Sequence, residues 1–237
     1  MVIMLTRCGQ SAGKTKMHPY SITHELAYVA GVYLGDGCVV FSTKYRNYYF
    51  ALNATDKDFV QETARCVGKV LEKDVPIFED KWHRDRGNYP LFKTVAYGKD
   101  FAGWLHRSCH GKNRIPKWIK TASRDIKLAF VAGVMDSEGS VWNFGQRLDG
   151  KPKGTSVSFY NSEPWRKGFI KLIEKLGVVV LRVRKKPKWN GSKRHTRCYD
   201  FNMISFVTSG CYFKIERKQR ILRDWISRIL LPSETTR

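Results

Sequence analysis

Apolar residues fall into two rhythms along this chain. Leu26 to Val32 and Leu128 to Val134 are apolar at almost every position, which predicts two helices buried on all sides. After the first, strict alternation sets Tyr48, Phe50, Leu52 and Ala54 on one face and Asn47, Tyr49, Ala51 and Asn53 on the other, the mark of a half-buried strand. From Lys57 to Glu72, Phe59, Val67, Val70 and Leu71 recur along one side of a helix. Strands near Val75–His83 and Tyr89–Tyr97 follow, joined by the polar turn Asp85-Arg86-Gly87-Asn88, and Lys99 to Cys109 reads as helix. The second half repeats this order, with strands near Val178–Lys186 and His195–Met203 turning at Trp189-Asn190-Gly191-Ser192. A closing helix from Phe213 to Leu230 places Ile215, Leu222, Trp225, Ile226 and Ile229 inward.

The recurrence extends to residues. Leu26-Ala27-Tyr28-Val29-Ala30-Gly31-Val32 matches Leu128-Ala129-Phe130-Val131-Ala132-Gly133-Val134 at all but the third position. The offset is 102 and holds through Gly35-Asp36-Gly37 against Ser137-Glu138-Gly139. Beyond that it grows to 107, because the turn Gln146–Gly154 is longer than its counterpart at Lys44–Asn47. Leu52-Asn53-Ala54-Thr55-Asp56 then faces Phe159-Tyr160-Asn161-Ser162-Glu163. A duplicated unit of about a hundred residues explains the whole pattern. The chain divides into an N-terminal extension (1–20), a first unit (21–112), a linker (113–124) and a second unit (125–237).

Composition narrows the partner. The 237 residues are 42% hydrophobic and carry a formal net charge of +22, an excess suited to a polyanion. No segment approaches the roughly 18 apolar residues of a spanning helix, and Arg7 interrupts a start too short for a signal-peptide core, so a membrane is not expected. Cys8, Cys38, Cys66, Cys109, Cys198 and Cys211 form no CxxC pair and read as reduced thiols of an intracellular protein, the compartment not being specified. Nucleic acid is the expected partner.

The chemistry sits at the ends of the two buried helices. Ala30, Gly31 and Gly35, with Ala132, Gly133 and Ser137, give each helix a smooth side on which another backbone can approach. Packed together, the helices bring Asp36 and Glu138 side by side at their C-termini, where the helix dipole is negative. A divalent cation relieves that repulsion, and oxygen ligands facing a phosphate substrate point to Mg²⁺, with Mn²⁺ as a substitute.

The segments Val29-Ala30-Gly31-Val32-Tyr33-Leu34-Gly35-Asp36-Gly37 and Val131-Ala132-Gly133-Val134-Met135-Asp136-Ser137-Glu138-Gly139 resemble the LAGLIDADG motif. From about His24 to Leu230 the chain resembles a two-motif, monomeric LAGLIDADG homing endonuclease, and Arg114-Ile115-Pro116-Lys117-Trp118-Ile119 is similar to the linker of such proteins. The resemblance implies an α+β fold of two pseudo-symmetric αββαββα units, with the motif helices packed at the domain interface and antiparallel sheets on DNA. It implies metal-dependent hydrolysis of one phosphodiester on each strand of a long, non-palindromic site. Asp36 and Glu138 would be catalytic metal ligands, aided by the carbonyls of Gly35 and Ser137. Asn53 matches a position that orders active-site water, its second-half partner being Tyr160, and Lys99 matches an active-site lysine whose counterpart here is Phe206. The two sites would then work unequally or share Lys99. Leu34 stands where the motif has an acid, as Asp136 does in the second copy.

Each unit's two hairpins can form a sheet against the major groove. Period-two alternation from Arg182 puts Arg184, Lys186 and Lys188 on one face, with Leu181 and Val183 on the opposite, core-facing side. Lys193, Arg194 and Arg197 extend this basic hairpin, and Lys81, His83, Arg84 and Arg86 are its first-half equivalents. Lys44 and Arg46 in one turn, and Arg147, Lys151 and Lys153 in the longer one, complete the expected contacts. Gly9-Gln10-Ser11-Ala12-Gly13-Lys14-Thr15 is one residue short of a phosphate-binding loop, and His106, Cys109 and His110 have no fourth partner for zinc. A non-catalytic nucleic-acid binder on the same scaffold, such as an intron RNA maturase, is the rival reading. The acid pair favours the enzyme. An intron-encoded or free-standing gene fits better than an intein, because the chain does not end in His-Asn.

Overall fold

Small polar residues start both apolar helices. Thr23 caps α1 (His24–Leu34) by accepting from the Leu26 N–H at 3.2 Å, satisfying one donor that the helix leaves open. The computed structural model describes residues 19–42, 47–80, 90–146, 152–185 and 196–230. After α1 come β1 (Cys38–Ser42), β2 (Asn47–Ala54), α2 (Lys57–Leu71), β3 (Ile77–Asp80), β4 (Leu91–Tyr97) and α3 (Lys99–Ser108). A short helix, α4 (Lys117–Thr121), lies in the expected linker and stacks Trp118 on Trp104 with ring centroids 6.1 Å apart. Ser123 caps α5 (Arg124–Glu138), and the order repeats as β5 (Gly139–Gln146), β6 (Pro152–Asn161), α6 (Arg166–Lys175), β7 (Val180–Lys185), β8 (Arg197–Phe201) and α7 (Met203–Thr208). The last element is α8 (Glu216–Leu230).

The strands form two four-stranded antiparallel sheets with the same order, β1-β2-β4-β3 and β5-β6-β8-β7. This is a mixed α+β architecture of two like halves. Alternation decides what each face meets: Phe50 and Leu52 are buried toward the helices, with Phe50 edge-on to Phe101, while Asn53 and Tyr97 on the other face are exposed. The edge strand β7 corrects one expectation. Leu181 is 63% exposed and Val183 49%, so neither faces a core; β7 is the outer strand and its helix-side parity lies beyond the covering helices.

α1 and α5 pack backbone against backbone. A Cβ on Gly31 would stand 2.4 Å from the Phe130 carbonyl oxygen, and one on Gly133 2.2 Å from that of Tyr28. Only glycine fits at either crossing, because real carbon atoms do not approach so closely. The residues before and within α8 then clasp the first half. Lys214 pairs with Glu62 on α2, the Glu216 N–H donates to Asp58 at 2.6 Å, and Arg217 donates to both Asp56 oxygens at 3.1 and 2.9 Å.

Buried Asp136 anchors the same segment. Its carboxylate accepts from the Tyr28 hydroxyl at 2.8 Å, the Lys214 N–H at 3.1 Å and the Ile215 N–H at 3.3 Å. The acid at this motif position therefore ties the end of the chain to the helix pair, while its counterpart Leu34 is simply core.

Candidate active site

The helix crossing delivers the two C-termini to one place. A Cβ built on Gly35 would lie 2.3 Å from Ser137 Cβ and 3.2 Å from Glu138 Cγ, so the ends of α1 and α5 touch. Asp36 and Glu138 follow directly, and each feels its surroundings. Burial first, then the charge of Asp36 and that of Glu163, push the Glu138 carboxyl up to about 7. Loss of hydration also raises Asp36, against the opposing charges of Lys218 and Lys112. Water still touches the Asp36 side chain although protein crowds it, so the stronger rise belongs to half-buried Glu138. Glu138 is thus the acid whose ionisation the folded protein opposes more strongly.

This has a consequence for stability. In the unfolded chain Glu138 ionises near its ordinary 4.5, whereas in the folded protein it holds its proton to about 7. Folding thus takes up a proton between those values, and stability falls as pH rises from about 4.5 to about 7 and stays low above. Glu138→Gln removes the cost. At pH 8 it should stabilise the metal-free protein by roughly 1–2 kcal/mol after allowing for solvent contact, raising Tm by roughly 2–6 °C. At pH 4 the two proteins should melt together; equal melting at pH 8 as well would mean that neither burial nor the neighbouring acids disfavour the Glu138 carboxylate.

Two lysines meet the helix ends. Lys112, just after α3, donates from Nζ to the Gly35 carbonyl at 2.6 Å, with its ammonium 5.4 Å over the Tyr33 ring. Lys218 of α8 is buried and donates to the carbonyls of Met135, Asp136 and Gly139 at 3.1, 2.5 and 2.7 Å. Burial lowers the pKa of each, and neighbouring acids act against that. Asn161, buried at the end of β6, hydrogen-bonds Glu138 and accepts from the Glu163 N–H at 2.5 Å. Lys112 and Asn161 border a cavity of about 340 Å³ whose lining also includes Gly35, Glu138, Tyr160 and Glu163. A second cavity of about 360 Å³, edged by Lys120, Arg124 and Lys171, sits at the opposite end of α5, about 20 Å away along the 15-residue helix.

Lys99 stands where the pattern puts it, at the start of the helix that follows β4. It is exposed as the first residue of α3, 5.5 Å over the ring of Tyr48, whose strand position is three residues from Ala51 and so roughly 10 Å further from the acids. The lysine beside Asn53 is Lys93, its cross-strand partner on β4. Partners in a ladder share a face, so Asn53 and Lys93 project together near the β1 entry from Asp36. Sequence reading missed Lys93, Lys112 and Asn161. Alternation along Leu91–Tyr97 offered a signal for the first; the other two depend on long-range contacts. Tyr160 pairs with Cys198 where the first half has Asn53 with Lys93, and Phe206 is fully buried, stacked on Phe201.

Of the basic positions, Arg182, Arg184 and Arg197 lie on the second sheet, with Arg182 and Arg197 exposed. Arg184 already grips Asp200, donating from Nε and Nη2 at 2.9 and 2.7 Å, so its guanidinium is held in a fixed pose. Lys153, expected in the longer turn, is exposed near the start of β6 and has the parity of Val157 and Phe159, the helix-covered side, as Arg197 does through its pairing with Asn161. Lys44, Arg46, Lys81, His83, Arg84, Arg86, Arg147, Lys151, Lys186, Lys188, Lys193 and Arg194 lie outside the described residues, as does the extension up to 18. His106 Nδ1 is 2.9 Å from the Tyr33 hydroxyl and the Cys109 thiol is pushed up to about 12 by burial, a packed setting unlike a zinc site. Among the described residues, no three His, Cys, Asp or Glu side chains gather as metal ligands, and no helix is long and apolar enough to cross a membrane.

No protein-family model matches the chain. A 93-residue stretch is 32% identical to an uncharacterized protein of Methanocaldococcus jannaschii, covering 37% of this chain and 34% of that protein. Another 129-residue match, 29% identical, is to a second uncharacterized protein of the same organism and covers 54% and 45%. The chain spans less than half the length of these curated relatives. Among solved structures it is similar to I-DmoI in complex with DNA and Mn, at 14% identity over 80% of this chain and 97% of that one, with a TM-score of 0.55. The LAGLIDADG homing endonuclease I-GzeII in complex with its DNA target gives 11% identity, coverage of 89% and 91% and a TM-score of 0.51. Meganuclease I-SmaMI bound to uncleaveable DNA gives 12%, coverage of 88% and 91%, and 0.50. The fold is the two-domain, pseudo-symmetric one of those proteins.

Proposed function

We propose that the chain is a divalent-metal-dependent endonuclease which, as a monomer, cuts both strands of a long, asymmetric double-stranded DNA site. The observation that carries this reading is the pair Asp36 and Glu138, brought together at two helix C-termini at a cost in stability. A pure binder has no use for that repulsion. Asp36, Glu138 and the carbonyls of Gly35 and Ser137 form an all-oxygen donor set suited to Mg²⁺ or Mn²⁺. Its fit is supported by Lys112, whose ammonium already rests on the Gly35 carbonyl between acids, so the position accepts a cation.

A divalent cation held there supplies a nucleophilic water near neutral pH and neutralises charge on the phosphodiester. The protein's own groups do the rest. Asn161 fixes the Glu138 carboxylate, and Asn53 orders water beside the first-half acid. Lys93, from the adjacent strand, takes the part expected of Lys99 and faces the developing negative charge. Arg182, on the open face of β7, with the basic residues of the turns, holds phosphates and base edges along the sheets, and Arg197, which has the opposite parity, meets phosphate from the rim. The unlike halves, with Lys93 opposed by Cys198, read unlike half-sites and turn over unequally.

The test is cleavage of a randomised DNA library followed by sequencing of the cut ends. Mg²⁺ or Mn²⁺ should yield one long asymmetric site, Ca²⁺ should support binding with little turnover, and excess chelator should stop cleavage. Undiminished cutting in chelator would refute the metal mechanism. Retained sequence-specific binding without cutting under any metal would leave a binding protein.

A further inference from the structure

Two lysines sit on the two motif-helix ends, and they do so differently. Lys218 is 6% exposed and is locked by three carbonyls of the α5 end and the residue that follows it. Lys112 has one such bond, to the Gly35 carbonyl at 2.6 Å, and borders an open cavity of about 340 Å³. Counting from the duplication offset of 102, Gly35 corresponds to Ser137, whereas the carbonyls held by Lys218 belong to the neighbours Met135, Asp136 and Gly139. One lysine supports its helix end from beside the ligand position. The other stands on the ligand position itself.

The backbone that presents Lys112 is unusual. His110, Gly111 and Lys112 have φ of 49°, 61° and 64°, three successive left-handed residues of which only one is glycine. Such a run costs free energy and persists where the surroundings impose it. It is stapled by the Asn113 and Arg114 N–H groups, which both donate to the Cys109 carbonyl, at 3.1 and 3.2 Å. The loop is fixed, and the flexible lysine stem is what can move.

Resting on the endonuclease reading, the geometry points to Lys112 as a built-in counter-cation of the first-half metal position: its ammonium occupies the Gly35 carbonyl among Asp36, Glu138 and Glu163 and must withdraw for a divalent cation to bind there. The resident charge offsets the acid repulsion in the empty enzyme. It also makes the two metal positions unequal, the first-half one guarded and the Ser137 one not. Once displaced, the ammonium stays tethered by its strained loop at the rim of the cavity, where the DNA backbone would pass. Lys112 is a positioning residue that sets when the centre loads.

Mn²⁺ binding to the full-length, DNA-free protein, followed by paramagnetic resonance and calorimetry, tests this without any cleavage. The wild type should take up a tighter and a weaker Mn²⁺. Lys112→Met, which keeps the stem and removes the charge, should strengthen the weaker step by roughly tenfold, the scale of one charge-assisted hydrogen bond, and shift the tighter one much less. A gain shared equally by both steps would reduce Lys112 to a general electrostatic effect and overturn the inference, as would no gain. Because Lys112→Met also loses a helix-end contact, a second measurement uses the wild type alone. Acetylation of Lys112, read by mass spectrometry, should accelerate several-fold when Mn²⁺ is added, as the ammonium leaves the carbonyl, and an unchanged rate overturns the idea. If neither protein binds Mn²⁺ the endonuclease reading falls with it; if both bind Mn²⁺ alike, that reading stands and only the role of Lys112 falls.

Discussion

Asp36→Asn and Glu138→Gln should each abolish double-strand cleavage, slowing the cut that depends on that acid by roughly 10³-fold or more, the scale of removing one principal electrostatic contributor. Specific DNA binding should stay within about tenfold of the parent, a change of roughly 1.4 kcal/mol. The two effects separate because each amide keeps the shape of the acid and removes only its charge. On the proposed function, binding would draw on the basic sheets, whereas the cut would need both carboxylates ionised and close to the phosphates. Supercoiled plasmid carrying the target reports the difference. Linear product should disappear, and if each acid serves one strand, nicked circles should accumulate in its place. Either variant producing linear DNA at the parental rate would remove that residue from the chemistry. Glu138 holds its proton to about 7, so cleavage by the parent should rise through neutrality as the carboxylate is released to bind metal.

Gly133→Ala should destabilise the protein by about 3 kcal/mol, lowering Tm by roughly 6–12 °C. Helix propensity alone argues the other way, since alanine is favoured over glycine by about 1 kcal/mol in a helix interior. The crossing decides the sign. The new Cβ would meet the Tyr28 carbonyl oxygen at 2.2 Å and the Val32 nitrogen at 3.1 Å, both backbone atoms that cannot rotate aside. Relief comes only by spreading α1 from α5, which also parts Asp36 from Glu138. Loss of activity should therefore exceed what the unfolded fraction explains. A variant as stable as the parent by chemical denaturation would show that the helices are not in backbone contact.

Much of the architecture was legible in the chain because its signals are local. The two apolar runs, their shared glycines and the alternation of β2 each need only a short window, and the duplication let one half check the other. The acids were legible for the same reason: they end the runs. What escaped depends on register and on distance. Motif matching pointed to Lys99, whereas which lysine stands beside Asn53 follows from strand pairing: it is Lys93, and Lys99 lies over Tyr48. Alternation set Arg182 and Arg184 apart from Val183, but it showed neither the register shift between Val180 and Arg182 nor that Leu181 and Val183 lack a cover. Lys112 and Asn161 reach Gly35 and Glu138 from remote parts of the chain, and nothing in their own neighbourhoods announces it.

The grip of the closing segment on α2 bears on how such genes can be reshuffled. A donor second half would arrive with a terminal segment adapted to its own partner. It would have to find Asp56, Asp58 and Glu62, or acids equally placed, on the recipient. Compatibility of two halves is thus written on the flank of α2 as well as at the glycine crossing.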